Sequence, residues 1–377
     1  TGIHWTFSPC VAVPQDPRWG RFYEGFGQTS EIVNGLTTAA VNGYQALLKD
    51  TGGKQVAACA KHFVGDGGTI WGTGTEVDGL HSYLIDQGDV QLEDAALREL
   101  HLPPYERAIA ADVKTIMVSF SSLRGEKCHG SNLLINDLLK DDLGFKGFVV
   151  SDWGGINQIP GDYKSDVING INAGIDMVMV PGIRQGDSSY AKNKHYKTFI
   201  KYLIDAVNEG NVSIARIDDA VSRILKVKME IGLFDNPFID DAYLDQIGSL
   251  KHRALAREAV QKSTILLKNM GSLPMSKNET ITVVGSAANN LGIQNGGWTT
   301  DWQGIFTPDF AFLDYNADGK LTSKEYYSQL KKVYESKFEK NNWTTNFKEI
   351  DLDNDGLVVP EDFTGFMQNR VLQPNGT

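Results

Sequence analysis

Between residues 5 and about 232, short apolar runs rich in β-formers alternate with longer segments of helical period. Residues 7–13, 55–64, 115–120, 148–150 and 175–180 read as strands. Residues 30–48, 92–111, 132–143, 166–173, 196–208 and 214–231 read as helices. Apolar runs this short suit strands buried on both faces, and alternation at this spacing predicts right-handed βαβ units around a parallel sheet. A (β/α)8, TIM-type barrel needs eight strands, and five are visible, so the expectation is an α/β fold with an incomplete barrel that lacks its early strands.

The fourth run, Phe148-Val149-Val150, breaks into Ser151-Asp152-Trp153-Gly154-Gly155. An acid where a buried strand ends sits at the mouth of such a sheet, where barrels build active sites. The plainer alternative is that Asp152 caps the helix that follows. Polar clusters also close the earlier strands. They are Asp16-Pro17-Arg18-Trp19-Gly20-Arg21, then Lys61-His62-Phe63-Val64-Gly65-Asp66, then Ser119-Phe120-Ser121-Ser122. Two guanidiniums, an ammonium and an imidazole offer the donors that a sugar's hydroxyls require, and tryptophan offers a face for its C–H side. Each alone has a structural reading: Arg21 as an ion-pair partner, His62 as a core histidine, Trp298 and Trp302 as core aromatics. Lys61-His62 lacks the spacing of a metal site, and Gly65-Asp66-Gly67-Gly68 lacks the Gly-Lys-Ser/Thr of a phosphate loop.

Composition narrows the function. A net charge of −11 over 377 residues argues against nucleic acid. No apolar run approaches the roughly 18 residues of a membrane span. Three well-separated cysteines, Cys10, Cys59 and Cys128, form neither a disulfide framework nor a zinc set. No signal peptide is visible and the chain lacks an initiator Met, so the N-terminus reads as truncated. Sequons at Asn211, Asn278, Asn342 and Asn375 lean towards an extracellular or lysosomal, secretory location.

Taken together, the strand-end clusters resemble glycoside hydrolase family 3, in its plant- and protist-type β-glucosidases and exo-β-glucanases. The resemblance runs over residues 1–304. It rests on Phe7-Ser-Pro-Cys10 to Arg21, Ala60-Lys-His-Phe-Val-Gly-Asp-Gly-Gly-Thr69, Lys146 to Trp153, Arg216 to Leu225, Ser263 to Asn269 and Gly296 to Gly304. It implies a retaining hydrolysis of terminal β-D-glucosyl residues, within polysaccharide catabolism, with Asp152 as nucleophile and no catalytic cofactor. Arg21, Lys61 and His62 would bind hydroxyls of the innermost sugar, Trp153 would line its subsite, and Trp298 and Trp302 would clamp the next sugar. The partner is then a β-glucoside or β-glucan oligosaccharide. The family's acid/base, a Glu in the second domain, has no counterpart in the chain. Where related enzymes often carry Tyr on the strand before the nucleophile, this chain has Phe120.

After residue 304 the character changes. Asp314-Tyr-Asn316-Ala-Asp318-Gly319-Lys320-Leu321-Thr322-Ser-Lys-Glu325 fits a twelve-residue EF-hand loop, with oxygen donors at positions 1, 3 and 5, glycine at 6 and Glu at 12. A second loop, from Asp351 through Asp353, Asp355 and Leu357 to Asp362, closes with the shorter Asp and is expected to bind calcium more weakly or prefer magnesium. The expected organisation is a barrel domain at 1–233, a linker and helix at 234–279, the start of a family 3 C-terminal α/β domain at 280–304, with a strand at 280–284, and an all-α EF-hand pair at 305–377. Two alternatives stay open: a catalytically incomplete sugar- and calcium-binding protein, or a truncated, misjoined gene product. Exposed edges of an incomplete barrel would favour self-association.

Overall fold

The computed structural model describes residues 3–46, 56–74, 76–77, 81–82, 84–181, 194–235, 237–238, 245–285, 287–299, 321–322, 324–325 and 357–358. They belong to two compact units, Thr1–Ser263 and Thr264–Thr377. The first is built on three parallel strands, β1 (Cys59–Phe63), β2 (Thr115–Val118) and β3 (Phe148–Val150), side by side in chain order. Single parallel bridges, Trp5 to Ala57, Cys10 to Lys61 and Val150 to Met177, extend the sheet by a run on each side. All five expected runs are therefore neighbours, in sequence order, with helical crossovers. Residues 7–13 stay irregular because Pro9 cannot donate to the ladder.

The two-residue period divides the strands between two apolar layers. Ala58, Ala60, Ile116, Val118 and Val149 join Val33, Val41, Leu97, Tyr105 and Val167 in one cluster. Their neighbours Cys59, Met117, Phe148 and Val150 turn the other way, onto Val227, Ile224 and Trp5. Both faces are covered, as the unbroken apolar runs require. The helices are α1 (Ser30–Gln45), α2 (Asp94–Leu100), α3 (Pro103–Ala110), α4 (Tyr163–Asn172), α5 (Tyr196–Asn208), α6 (Ile214–Glu230) and α7 (Leu250–Ser263). The single helix expected over 92–111 is two, because Pro103 and Pro104 start a new one. Residues Leu133–Asp142 wind as a wider π-helix. Cys10, Cys59 and Cys128 are buried and free, and no described helix is long and apolar enough to cross a membrane.

In the second unit the strand expected over 280–284 does not form. Ile281, Val283 and Val284 are exposed and no described strand pairs with them, and an apolar run without a ladder partner has nothing to hold it as sheet. Two short strands do pair there, β4 (Leu321–Thr322) and β5 (Leu357–Val358), antiparallel, with Leu321 opposite Val358 and Thr322 opposite Leu357. The flanking loop residues Asp314, Asn316, Asp318, Lys320, Asp351, Asp353, Asp355 and Asp362 lie outside the described residues.

Candidate active site

The C-terminal ends of the strands gather the charged side chains. On a regular strand Lys61 and His62 would point to opposite faces. The pairing of β1 with β2 slips between Lys61 and Phe63, a bulge that breaks the alternation at His62. Both side chains then reach one group. His62 Nε2 lies 3.1 Å from Arg21 Nη2, and Lys61 Nζ lies 3.9 Å from Glu24 Oε2. Glu24 clamps Arg21 with two hydrogen bonds, from Nε at 2.7 Å and from Nη2 at 2.9 Å. Burial works against the Arg21 charge, but the bonds to Glu24 and the charges of Glu24 and Asp66 outweigh it and hold its pKa above the ordinary value.

Asp152 follows β3 directly. Its Oδ1 accepts from the backbone N–H of Trp153 at 2.7 Å. Its Oδ2 stands 3.5 Å from His62 Nε2, is buried, and makes no hydrogen bond among the described residues. The short helix that follows, Gly155–Gln158, receives no side-chain cap, and α4 is capped by Asp162 through the Ser165 N–H at 2.9 Å. The helix-cap reading of Asp152 therefore fails. Its backbone is held in place. The Asp152 N–H donates to His129 Nε2 at 3.0 Å, Ser151 N–H donates to Met177 O at 2.9 Å, and Gly154 N–H donates to Met179 O at 2.9 Å.

Two buried imidazoles thus face the nucleophile candidate, and both are neutral. Burial, with repulsion from Arg21, pushes His62 down to about 3. Burial, with repulsion from Lys127, does the same for His129. His62 Nδ1 meets Asp66 Oδ2 at 2.8 Å, and burial raises the Asp66 carboxyl to about 6. Cys10 joins His62 and Asp66 with donor atoms all within 4.8 Å. Burial drives that thiol up to about 12 and His62 Nδ1 is committed to Asp66, so the trio is a hydrogen-bonded pair beside a buried thiol rather than a prepared metal site.

Of the residues singled out from sequence, Arg21, Lys61, His62 and Asp152 converge, and Trp153 stands beside them, 56% exposed, as a face open to solvent. Trp298 belongs to the second unit, and Trp302 lies outside the described residues. Arg18 pairs with Asp16 and lies over the Trp71 ring at 4.0 Å. Glu24, Asp66 and His129 were not foreseen as site residues. The i, i+3 spacing of Arg21 and Glu24 was a local signal for the first. No local pattern marks His129, which arrives from a separate loop. An open depression of about 660 Å³ lined by Arg124, Lys127, Asn132, Ile159 and Asn172 contains none of these groups.

Comparison with known proteins agrees with this constellation. Residues 1–227 match the glycosyl hydrolase family 3 N-terminal domain. A periplasmic β-glucosidase of Salmonella typhimurium is 32% identical over 310 residues, 79% of this chain and 37% of the relative. A lysosomal β-glucosidase of Dictyostelium discoideum is 30% identical over 321 residues, 81% of this chain and 36% of the relative. Among solved structures, an exo-1,3/1,4-β-glucanase from a Pseudoalteromonas species superposes with a TM-score of 0.65 at 36% identity, covering 79% of this chain and 35% of that one. A β-glucosidase from Listeria innocua in complex with isofagomine gives 0.60 at 29% identity, over 72% of this chain and 36% of that one. The chain spans a little over a third of the length of the curated relatives it matches. With an N-terminal domain match over 227 residues and its strand-end residues gathered at one mouth, the chain belongs to glycosyl hydrolase family 3.

Proposed function

We propose that this chain carries the nucleophile half of a retaining β-glucosidase, acting on terminal β-D-glucosyl residues with Asp152 as the attacking group. The observation that carries the reading is the buried Oδ2 of Asp152, free of hydrogen bonds among the described residues and 3.5 Å from His62. Attack by Oδ2 on the anomeric carbon forms the glycosyl-enzyme ester and expels the aglycone oxygen, and water later cleaves the ester. Arg21 and Lys61 hold the sugar's hydroxyls, His62 stands behind them at 3.1 Å from Arg21 Nη2, and Trp153 covers the sugar's apolar face. Protonating an ordinary leaving group calls for a second carboxyl roughly 5–5.5 Å from the nucleophile. No residue of the chain is assigned that role. The periplasmic and lysosomal relatives support a secretory or lysosomal compartment.

The proposal is tested with a 2-deoxy-2-fluoro-β-glucoside bearing dinitrophenolate, a leaving group that departs without a proton. The purified chain is expected to gain one fluoroglucosyl unit on the peptide containing Asp152, and Asp152→Asn none. Absence of label in both overturns the nucleophile assignment. Glucose binding without label would favour the sugar-binding alternative.

A calcium-binding pair is the second part of the proposal. The antiparallel pairing sets Leu321 opposite Val358, joining the eighth positions of the two acidic loops. Glu325, at the twelfth position, is 4% exposed and its Oε1 is buried without a hydrogen bond among the described residues. Its Oε2 accepts from the Thr322 N–H at 3.0 Å and hydroxyl at 2.8 Å. An orphaned, buried carboxylate oxygen suits a hard cation. Asp314, Asn316, Asp318, Glu325 and the Lys320 carbonyl would hold one ion. Asp351, Asp353, Asp355, Asp362 and the Leu357 carbonyl would hold the other, by calcium or magnesium.

A further inference from the structure

Arginine has five N–H donors and no acceptor. His62 Nε2 lies 3.1 Å from Arg21 Nη2, so that nitrogen must present a lone pair, and a neutral imidazole then carries its proton on Nδ1. Nδ1 faces Asp66 Oδ2 at 2.8 Å, while Asp66 Oδ1 accepts from the Gly67 N–H at 3.1 Å. Each oxygen of this carboxylate therefore has one donor. The charged or titratable groups disposed around the ring are Arg21, Lys61, Glu24, Asp152, Asp66 and His129, with the Cys10 thiol beside Asp66.

We propose that Asp66 is a positioning residue that fixes His62 as the Nδ1–H tautomer, so that Nε2 accepts from Arg21 and gives no proton to Asp152. The inference deepens the reading of Asp152 as nucleophile and rests on it for its catalytic consequence. In the other tautomer an Nε2–H would oppose the Arg21 donor and point at Asp152 Oδ2, 3.5 Å away. A proton donated there would stabilise the carboxylate before attack and dull it. Serine-protease triads show the same logic: replacing the orienting Asp by Asn leaves the geometry and puts the imidazole in the wrong tautomer. A plain structural role for Asp66 would not depend on which of its atoms faces His62.

Asp66→Asn separates the two roles. The Gly67 N–H holds an acceptor at the Oδ1 position, so the amide nitrogen of the new side chain faces His62 Nδ1 and donates to it. The ring must then carry its proton on Nε2. The experiment is long-range 1H–15N correlation of the full chain labelled at histidine, with His62 identified through a His62→Gln variant. The expected result is Nδ1–H in the natural chain and Nε2–H in Asp66→Asn, with His129 unchanged as a check on folding. Nε2–H in the natural chain, or an unchanged tautomer in a folded Asp66→Asn, overturns the proposal. If Asp66→Asn does not fold, the natural chain alone decides it. In the trapping reaction, Asp66→Asn is expected to slow labelling on the order of 10–100-fold without abolishing it. Unlabelled natural chain with His62 protonated at Nδ1 would remove the nucleophile reading and leave the tautomer assignment standing.

Discussion

Asp152 is legible from its neighbours in the chain, because a buried strand breaking into Ser-Asp-Trp-Gly-Gly places an acid at the sheet mouth. What holds it there is not legible. His129 comes from the loop after Glu126–Lys127, 23 residues before Asp152, and its Nε2 takes the Asp152 N–H. Gly155 makes that approach possible, since a Cβ at this position would stand 2.1 Å from His129 Nε2. Gly155→Ala is therefore expected to expel the ring, to lower stability by about 1–3 kcal/mol through overpacking, and to cut fluoroglucoside labelling at least about tenfold, the loss expected when a group that orients the reacting centre is displaced. Thermal unfolding and the labelling rate check it. A variant that labels at the natural rate would show that His129 does not position the nucleophile.

At the scale of elements, the helical and strand periods located the crossover helices and the five parallel runs of the first unit. They located none of its two-residue strands, which are too short to show a period, and the other failures have local causes. Two prolines divide 92–111, and residues 7–13 keep one bridge to β1 where Pro9 interrupts a full ladder. The bulge that brings Lys61 and His62 to one side depends on the β2 partner, so no pattern within β1 could reveal it. Helix α6 begins on Ser213, whose hydroxyl oxygen accepts from the Arg216 N–H at 3.1 Å. Ser213→Ala is expected to cost about 1 kcal/mol of stability, the usual worth of an N-cap. Denaturant unfolding measures it, on protein from a host that does not glycosylate, because Ser213 also completes the Asn211 sequon. No change in midpoint would mean that water satisfies the helix end equally well.

For the whole molecule, the acidic loops predict behaviour the barrel alone would lack. Calorimetric titration with calcium is expected to show binding in the natural chain and the loss of its tighter phase in Glu325→Gln. Calcium at one hundred times its dissociation constant adds about 2.7 kcal/mol to whatever unit binds it. Absence of heat with both calcium and magnesium removes the EF-hand assignment. The pairing of Leu321 with Val358 gives the spacing of the two loops a structural counterpart, and the buried Oε1 of Glu325 gives it a chemical one.

By itself the amino-acid sequence determined the parallel α/β order, the family, and the acid at the end of the fourth strand, because apolar period and strand-end chemistry are local properties. Only tertiary structure decided that Asp152 is no helix cap, that a bulge turns His62 towards Arg21, and that Glu24, Asp66 and His129 complete the group. The physical reason is that Glu24 and Asp66 sit only three and four residues from Arg21 and His62 but gain their place when Arg21, His62, Asp152 and His129 meet from separate strands and loops. A contact across such a distance leaves no period in the chain.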